Sequence, residues 1–330
     1  MKVLVTGGTG YIGSHVVVEL LEQDHEVEIL DNLTNSKITV LDQIEKITNK
    51  KPAFHQIDLL DQLALEKVFK DNHFDLVMHF AGLKAVTESI EQPLKYYDNN
   101  ITGTINLLNT MKKHQVYNLI FSSSATVYGD QGVDRCVETL KTGINITNPY
   151  GKTKYMIEEI LKDLATSNTN WSIISLRYFN PIGNHSSGLI GEDPNGTPNN
   201  LMPYIMKVAK GELKELSIYG NDYDTKDGTC LRDFIHVVDL AKGHLSAING
   251  LKPGFSAYNL GTGKPTSVLQ MVNTFERVSG KPLPHKFVAR RPGDLAKLYA
   301  DPSKAKQELN WQTNLTIENA IKDTLAFLNK

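Results

Sequence analysis

The sequence predicts an α/β protein: a doubly wound parallel sheet with a smaller C-terminal α/β domain. Three observations predict it. Over the first 180 residues short apolar runs alternate with amphipathic stretches, the pattern of parallel strands joined by crossover helices. A glycine-rich turn, residues 7–13, joins the first run to the first helical stretch. After Arg177 the pattern changes: residues 181–200 are dense in Gly, Pro, Asn and Ser and show no period. The division read from this shift is a sheet domain at 1–180 and a substrate domain at 181–330, with segments of the second free to return to the first.

The expected strands are Lys2–Thr6, 26–30, a third ending near Gln56-Ile57, 76–80, 119–121 and 172–176. They are short, rich in Val and Ile, and closed by Gly, Asp, Asn or Ser, as strands buried on both faces are. Helical spacing marks 12–21, 102–114 and 150–165, where Met156, Ile157, Ile160, Leu161 and Leu164 form one stripe. Beyond the Gly/Pro-rich segment, helices are expected at 201–209, 238–248, 268–278 and 317–328, with short strands between them.

Composition bounds the partners. The chain has 330 residues, enough for roughly two domains of about 150. Thirty-five basic against 37 acidic residues leave a net charge of −2, so no global field draws nucleic acid or an anionic membrane. Two cysteines, Cys136 and Cys230, are too few for a disulfide framework and suit a reducing cytosol. Met1-Lys2 leads directly into Val3-Leu4-Val5 without the longer apolar core of a signal peptide. No run nears the ~18 apolar residues of a membrane span. The histidines lack metal-site spacing, so no metal is expected. The expectation is a cytoplasmic protein.

Gly7, Gly10 and Gly13 recur every three residues between the first strand and the first helix, a compressed relative of the dinucleotide fingerprint. Glycine there allows the tight turn, the approach of backbone to a pyrophosphate, and close strand–helix packing. Asp31 follows Gly13 by 18 residues, at the end of the second strand. A carboxylate there accepts from a ribose diol and repels a 2′-phosphate, which favours NAD over NADP. Asp58, after the third strand, is placed to meet the adenine.

Tyr150 and Lys154 stand at i and i+4 on one helix face, after Asn148 as a cap and Pro149 in the first turn. Ser122-Ser123-Ser124 closes another strand, and such strand ends form the ligand crevice of a parallel sheet. A free phenol, with a pKa near 10, is a poor base at neutral pH. An ammonium about 4 Å away favours the phenolate by roughly 4 kcal/mol at an effective dielectric near 20, before desolvation opposes it. Tyr150 is therefore expected to act as general base with Lys154 lowering its pKa, and Ser124 to bond the reacting hydroxyl and pass its proton.

These residues resemble the extended short-chain dehydrogenase/reductase superfamily. Longer segments resemble its UDP-glucose 4-epimerase family across essentially the whole chain: Asp31-Asn32-Leu33-Thr34-Asn35-Ser36, His79-Phe80-Ala81-Gly82-Leu83-Lys84-Ala85-Val86, residues 121–129, Arg177-Tyr178-Phe179-Asn180-Pro181 and Asn199-Asn200-Leu201-Met202-Pro203-Tyr204. The resemblance implies a Rossmann-type sheet and epimerisation of UDP-glucose and UDP-galactose through a 4-keto sugar. It implies NAD bound by Tyr11, Ile12, Asp31, Asn32, Leu33, Thr34, Asn35, Ser36, Asp58, Leu59, Phe80, Ala81, Gly82, Leu83, Lys84, Asn99, Lys154 and Phe179, with Ser124 and Tyr150 facing both ligands. It implies UDP-sugar contacts at Asn180, Asn200, Leu201, Ser217, Ile218, Tyr219, Arg232, Arg291 and Asp294, where guanidinium forks suit a diphosphate.

The resemblance also implies a homodimer through helices 96–114 and 150–166. In the family, the position four residues after the Asp of Arg-x-Gly-Asp limits room at the sugar C2 substituent. Leu298 stands there, followed by Tyr299, which implies slower but measurable turnover of the N-acetylated pair. A 4,6-dehydratase on this scaffold wants an acid beside the catalytic hydroxyl, but Ser124 is followed by Ala125-Thr126-Val127. The other alternative, a non-catalytic NAD-sensing module, has no use for the Ser124/Tyr150/Lys154 set.

Overall fold

Seven parallel strands make the central sheet: Lys2–Thr6, Glu26–Asp31, Ala53–Gln56, Leu76–His79, Asn118–Ser124, Ser172–Tyr178 and Gly254–Leu260. Counted in chain order they lie 3-2-1-4-5-6-7 across it, so the order reverses between the first and fourth strands. This is a computed structural model, and it describes residues 1–193, 200–291 and 294–328. Part of the predicted 181–200 segment, residues 194–199, lies outside the described residues, and with it Asn199.

The apolar runs are continuous because both faces of the sheet are covered. Val3 and Val5 enter one core with Val17, Ile29 and Leu240, while Leu4 between them enters the other with Phe69, Leu107 and Leu161. The helices are Tyr11–Glu22, Gly103–Lys113 and Pro149–Ser167, within a residue or two of their expected bounds. In the last, Ile157 and Leu161 point inward, but Met156 does not belong to that stripe and is exposed.

The second half of the chain returns to the sheet. Helix Val237–Asn249 packs on Tyr11–Glu22, and Gly254–Leu260 pairs along Ser172–Tyr178 as the seventh strand. The remaining elements surround a third core that includes Met202, Ile205, Leu216, Phe234, Met271 and Ile321. Leu216–Tyr219 pairs in parallel with His285–Val288, and Asn180–Ile182 with Phe234–His236. Arg135–Cys136, from the first half, joins Lys297–Ala300 in a four-stranded sheet with Leu231–Arg232 and Thr266–Ser267. Among the described residues no helix is long and apolar enough to cross a membrane.

Candidate active site

A cleft opens at the carboxyl ends of the strands, where the strand order reverses. Its floor is the turn after the first strand. Gly7 holds φ at +72°, and a Cβ on Gly13 would lie 2.3 Å from the Gly7 carbonyl oxygen, so the chain closes on itself only with glycine there. The first helix begins at Tyr11 with its free N–H groups facing this turn.

At one end Asp31 accepts from the Leu33 N–H at 2.9 Å, the Ser36 hydroxyl at 3.1 Å and the Thr9 N–H at 3.2 Å. Asp58 accepts from Asn32 Nδ2 at 2.8 Å and the Leu60 N–H at 2.9 Å. Tyr150, Lys154, Ser122 and Tyr178 wall the opposite end. One side is residues 80–84, held by Asn100: its Oδ1 accepts the Leu83 N–H at 2.8 Å, and its Nδ2 donates to the Leu83 carbonyl and to Thr153 Oγ1, each at 3.0 Å. Asn100 sits in a π-turn, Asp98–Thr102, which also turns Asn99 to the cleft.

The helix carrying Tyr150 starts as expected. Asn148 Oδ1 accepts the Gly151 N–H at 2.8 Å, and Pro149 occupies the first turn. The electrostatics differ from expectation. Lys154 Nζ donates to the Ser122 carbonyl at 2.6 Å and lies 4.7 Å from the centre of the Phe121 ring. Burial lowers Lys154 to about 8, with the Glu158 charge acting against that shift. Burial raises the Tyr150 phenol, and the group that opposes this is the nearby Ser124 side chain rather than Lys154. Among the chain's own groups, desolvation thus outweighs the ammonium.

The cleft gathers Gly7, Gly10, Tyr11, Ile12, Gly13, Asp31, Asn32, Thr34, Asn35, Ser36, Asp58, Leu59, Phe80, Ala81, Gly82, Leu83, Lys84, Asn99, Tyr150 and Lys154. Three of the residues expected around the cofactor are not part of its wall. Leu33 turns at φ +61° to orient Asp31, Ser124 meets the site through Tyr150, and Phe179 packs with Val127, Tyr128 and Cys136. Residues that sequence reasoning missed include Lys37, Glu192 and Asp193. Lys37 pairs with Asp193, Lys84 Nζ lies 3.4 Å from Glu192, and Asn200 Nδ2 donates to Glu192 at 2.6 Å. The lysine pairings join positions more than a hundred residues apart, and no local spacing signals them.

The residues expected at the UDP-sugar form a second cluster. Asp294 lies between two guanidiniums, 3.0 Å from Arg291 Nε and 3.5 Å from Arg232 Nη2, and Arg291 sits 4.7 Å over the Tyr219 ring. Ser217 and Tyr219 share a strand with Ile218, whose side chain is buried in the third core. Asn200 precedes the helix that Leu201 begins without capping it by its side chain, and Asn180 is exposed at the start of its short strand. Leu298 lies beside Arg232 on the neighbouring strand and packs towards Phe179 and Tyr128.

Residues 3–261 match the model of the NAD dependent epimerase/dehydratase family. The chain is 54% identical to a UDP-glucose 4-epimerase of Bacillus subtilis (strain 168) over 326 residues, 98% of this chain and 96% of that protein. Its fold matches a UDP-glucose 4-epimerase from Bifidobacterium longum crystallised with NAD+ and UDP, with a TM-score of 0.96 and 50% identity over 100% of this chain and 98% of that one. It also matches an enzyme of the same name from Stenotrophomonas maltophila, bound to NAD and formylated UDP-arabinopyranose. That TM-score is 0.97, with 46% identity and coverage of 100% and 98%.

Proposed function

The chain belongs to the NAD dependent epimerase/dehydratase family, and from this we propose that it interconverts UDP-glucose and UDP-galactose by inverting sugar C4. The observation that carries the reading is one cleft running from Asp31 and Asp58 to Tyr150 and Lys154, in a fold shared with enzymes seen with NAD and uridine nucleotides. The cleft fits NAD: the Gly7–Gly13 turn leaves room for a pyrophosphate, Asp31 suits a ribose diol, and Lys84 supplies positive charge on one wall. Bound NAD supplies a reversible acceptor for the hydrogen at C4.

The chain's own groups do the rest. Tyr150, as the phenolate, takes the O4 proton and later returns it, with Ser124 beside it and the Lys154 charge one helical turn away. Burial opposes the phenolate, and positive charge from Lys154 and from NAD+ when bound would favour it. Arg232 and Arg291, spaced by Asp294, grip the diphosphate, while the 4-keto sugar turns about its link to it. The nucleotide's binding energy thus retains an intermediate that must not escape.

UDP-galactose deuterated at C4 tests this directly. The product should keep the label by NMR, and denaturing the purified protein should liberate NAD. Loss of deuterium to water would overturn the keto mechanism.

Leu298 sets the substrate range in this reading. Leu298 and Tyr299 are successive strand residues and face opposite ways, with Tyr299 paired beside Arg135. Leu298 is the one beside Arg232. Leucine leaves more room than tyrosine, so the N-acetylated sugars should turn over more slowly than the parent pair but measurably. Leu298→Tyr should suppress the N-acetylated activity by a further ~10-fold, within the range of an overfilled site, and the parent activity less. If Tyr299→Ala changes this selectivity and Leu298→Ala does not, the gate is misplaced.

We also assign the enzyme to a cytoplasmic homodimer. The two free thiols suit a reducing compartment. Ile90 and Leu94 are 59% and 80% exposed, and Ile105 and Met156 carry further exposed apolar surface on the two helices expected to pair. Such a face suits an isologous two-fold contact. Light scattering should give twice the chain mass at micromolar concentration, and a monomer would rule the interface out.

A further inference from the structure

Glu158 lies one turn beyond Lys154 and two beyond Tyr150, on the same face of helix Pro149–Ser167. It is 0% exposed, yet the chemistry above gives it no part. Its carboxylate accepts four hydrogen bonds: from Ser123 Oγ at 2.6 Å, Ser175 Oγ at 2.8 Å, Arg177 Nη2 at 2.6 Å and Arg177 Nε at 3.0 Å. Arg177 is itself anchored. Its Nη1 donates to the Tyr128 hydroxyl at 3.0 Å, and that hydroxyl donates to Asn259 on the seventh strand at 2.7 Å.

The place of Ser123 gives this cluster its meaning. On either side of it are the two contacts that join strand to helix at the reacting end: the Ser122 carbonyl, bonded to Lys154 Nζ, and the Ser124 side chain, close enough to Tyr150 to act on its phenol. Side chains alternate along a strand, so the Ser123 hydroxyl turns away from Ser124 and reaches Glu158. We propose that Glu158 is a positioning residue for the proposed epimerase chemistry, clamping the Ser122–Ser124 strand end through Ser123 so that Ser124 and Lys154 stay in register with Tyr150. The inference rests on the roles assigned to those three residues.

The charge state suits a clamp. Burial alone would raise the Glu158 carboxyl, but Arg177 and the two serine hydroxyls outweigh it and hold the group below the usual carboxylate range. It is therefore an ionised, fully bonded acceptor near neutral pH. Charge-assisted bonds of this kind are short and directional.

Two serines on one carboxylate provide the test. Ser123→Ala and Ser175→Ala each remove one hydroxyl from Glu158, so a purely structural role gives them the same effect. Positioning does not, because only Ser123 lies between the two contacts. With UDP-galactose as substrate, Ser123→Ala should lower kcat about ten-fold or more, as small misplacements of reacting groups do. KM and NAD content should stay near wild type, because the nucleotide contacts lie elsewhere. Ser175→Ala should keep kcat within about two-fold of wild type, with a similar change in thermal midpoint. Equal kcat values in the two variants, or a Ser123→Ala loss confined to KM, would overturn the inference. Tyr150→Phe in the same assay separates this from the broader reading: if it stays active, the assignment of the base fails; if it is inactive while the serine variants match, only the clamp fails.

Discussion

Tyr150→Phe should lower turnover of UDP-galactose by about 10²–10⁴-fold, the usual contribution of a positioned acid–base group. The substitution removes a single oxygen from a half-buried ring, so the helix, its Asn148 cap and the cofactor cleft should remain. KM should change little, because the proposed nucleotide contacts, Arg232 and Arg291, are left intact. Ser124, whose hydroxyl is a far weaker acid than a phenol, is no substitute base at neutral pH. Ser124→Ala should also be slow, but less so than Tyr150→Phe. Near-normal turnover in Tyr150→Phe, measured with NAD content confirmed, would show that another group takes the O4 proton.

Local patterns made much of the cleft lining readable. Gly7, Gly10 and Gly13 repeat within one turn, Asp31 ends a strand, Asp58 follows one, and Tyr150 and Lys154 share a helix face, so each lies within reach of a short-range rule. The strands were legible for the same reason: Val3, Leu4 and Val5 are apolar on both faces because both faces are covered. The seventh strand was not. Gly254–Leu260 carries Ser256 and Asn259 among its apolar residues, and Asn259 is buried because Tyr128 and the Cys136 carbonyl bond it. Its polarity therefore follows from tertiary partners that no window along the chain contains.

The same holds for Lys37 with Asp193, Lys84 with Glu192, and Glu158 with Arg177. Each is an ordinary charged residue until the fold supplies its counterpart. The raised Tyr150 phenol has related causes. Spacing places an ammonium one turn away but cannot say that it is turned to the Ser122 carbonyl, nor how completely the phenol is desolvated.

The buried pair should dominate the stability of this region. Arg177→Met replaces a guanidinium that is 2% exposed with an apolar chain of similar reach, and leaves Glu158 buried with only Ser123 and Ser175 as partners. Breaking a buried ion pair from one side costs about 3–5 kcal/mol, because the remaining charge keeps its desolvation penalty and loses its compensation. Acid pH then distinguishes lost charge from lost packing. In the wild type the Glu158 pKa is depressed on folding, so the pair's contribution is present above the ordinary carboxylate pKa and declines as pH falls through the lower folded value. In Arg177→Met, burial acts unopposed by the guanidinium, and the folded pKa should rise above that of the unfolded chain. The folded variant then binds the extra proton, so its stability improves relative to wild type as pH falls. Urea unfolding should therefore show the largest deficit near pH 7 and a smaller one near pH 4. Adding Glu158→Gln to Arg177→Met should recover much of the loss at pH 7. A deficit that is constant from pH 4 to pH 8 and unchanged in the double variant would mean that Arg177 acts there through its packing against Tyr128 rather than through its charge.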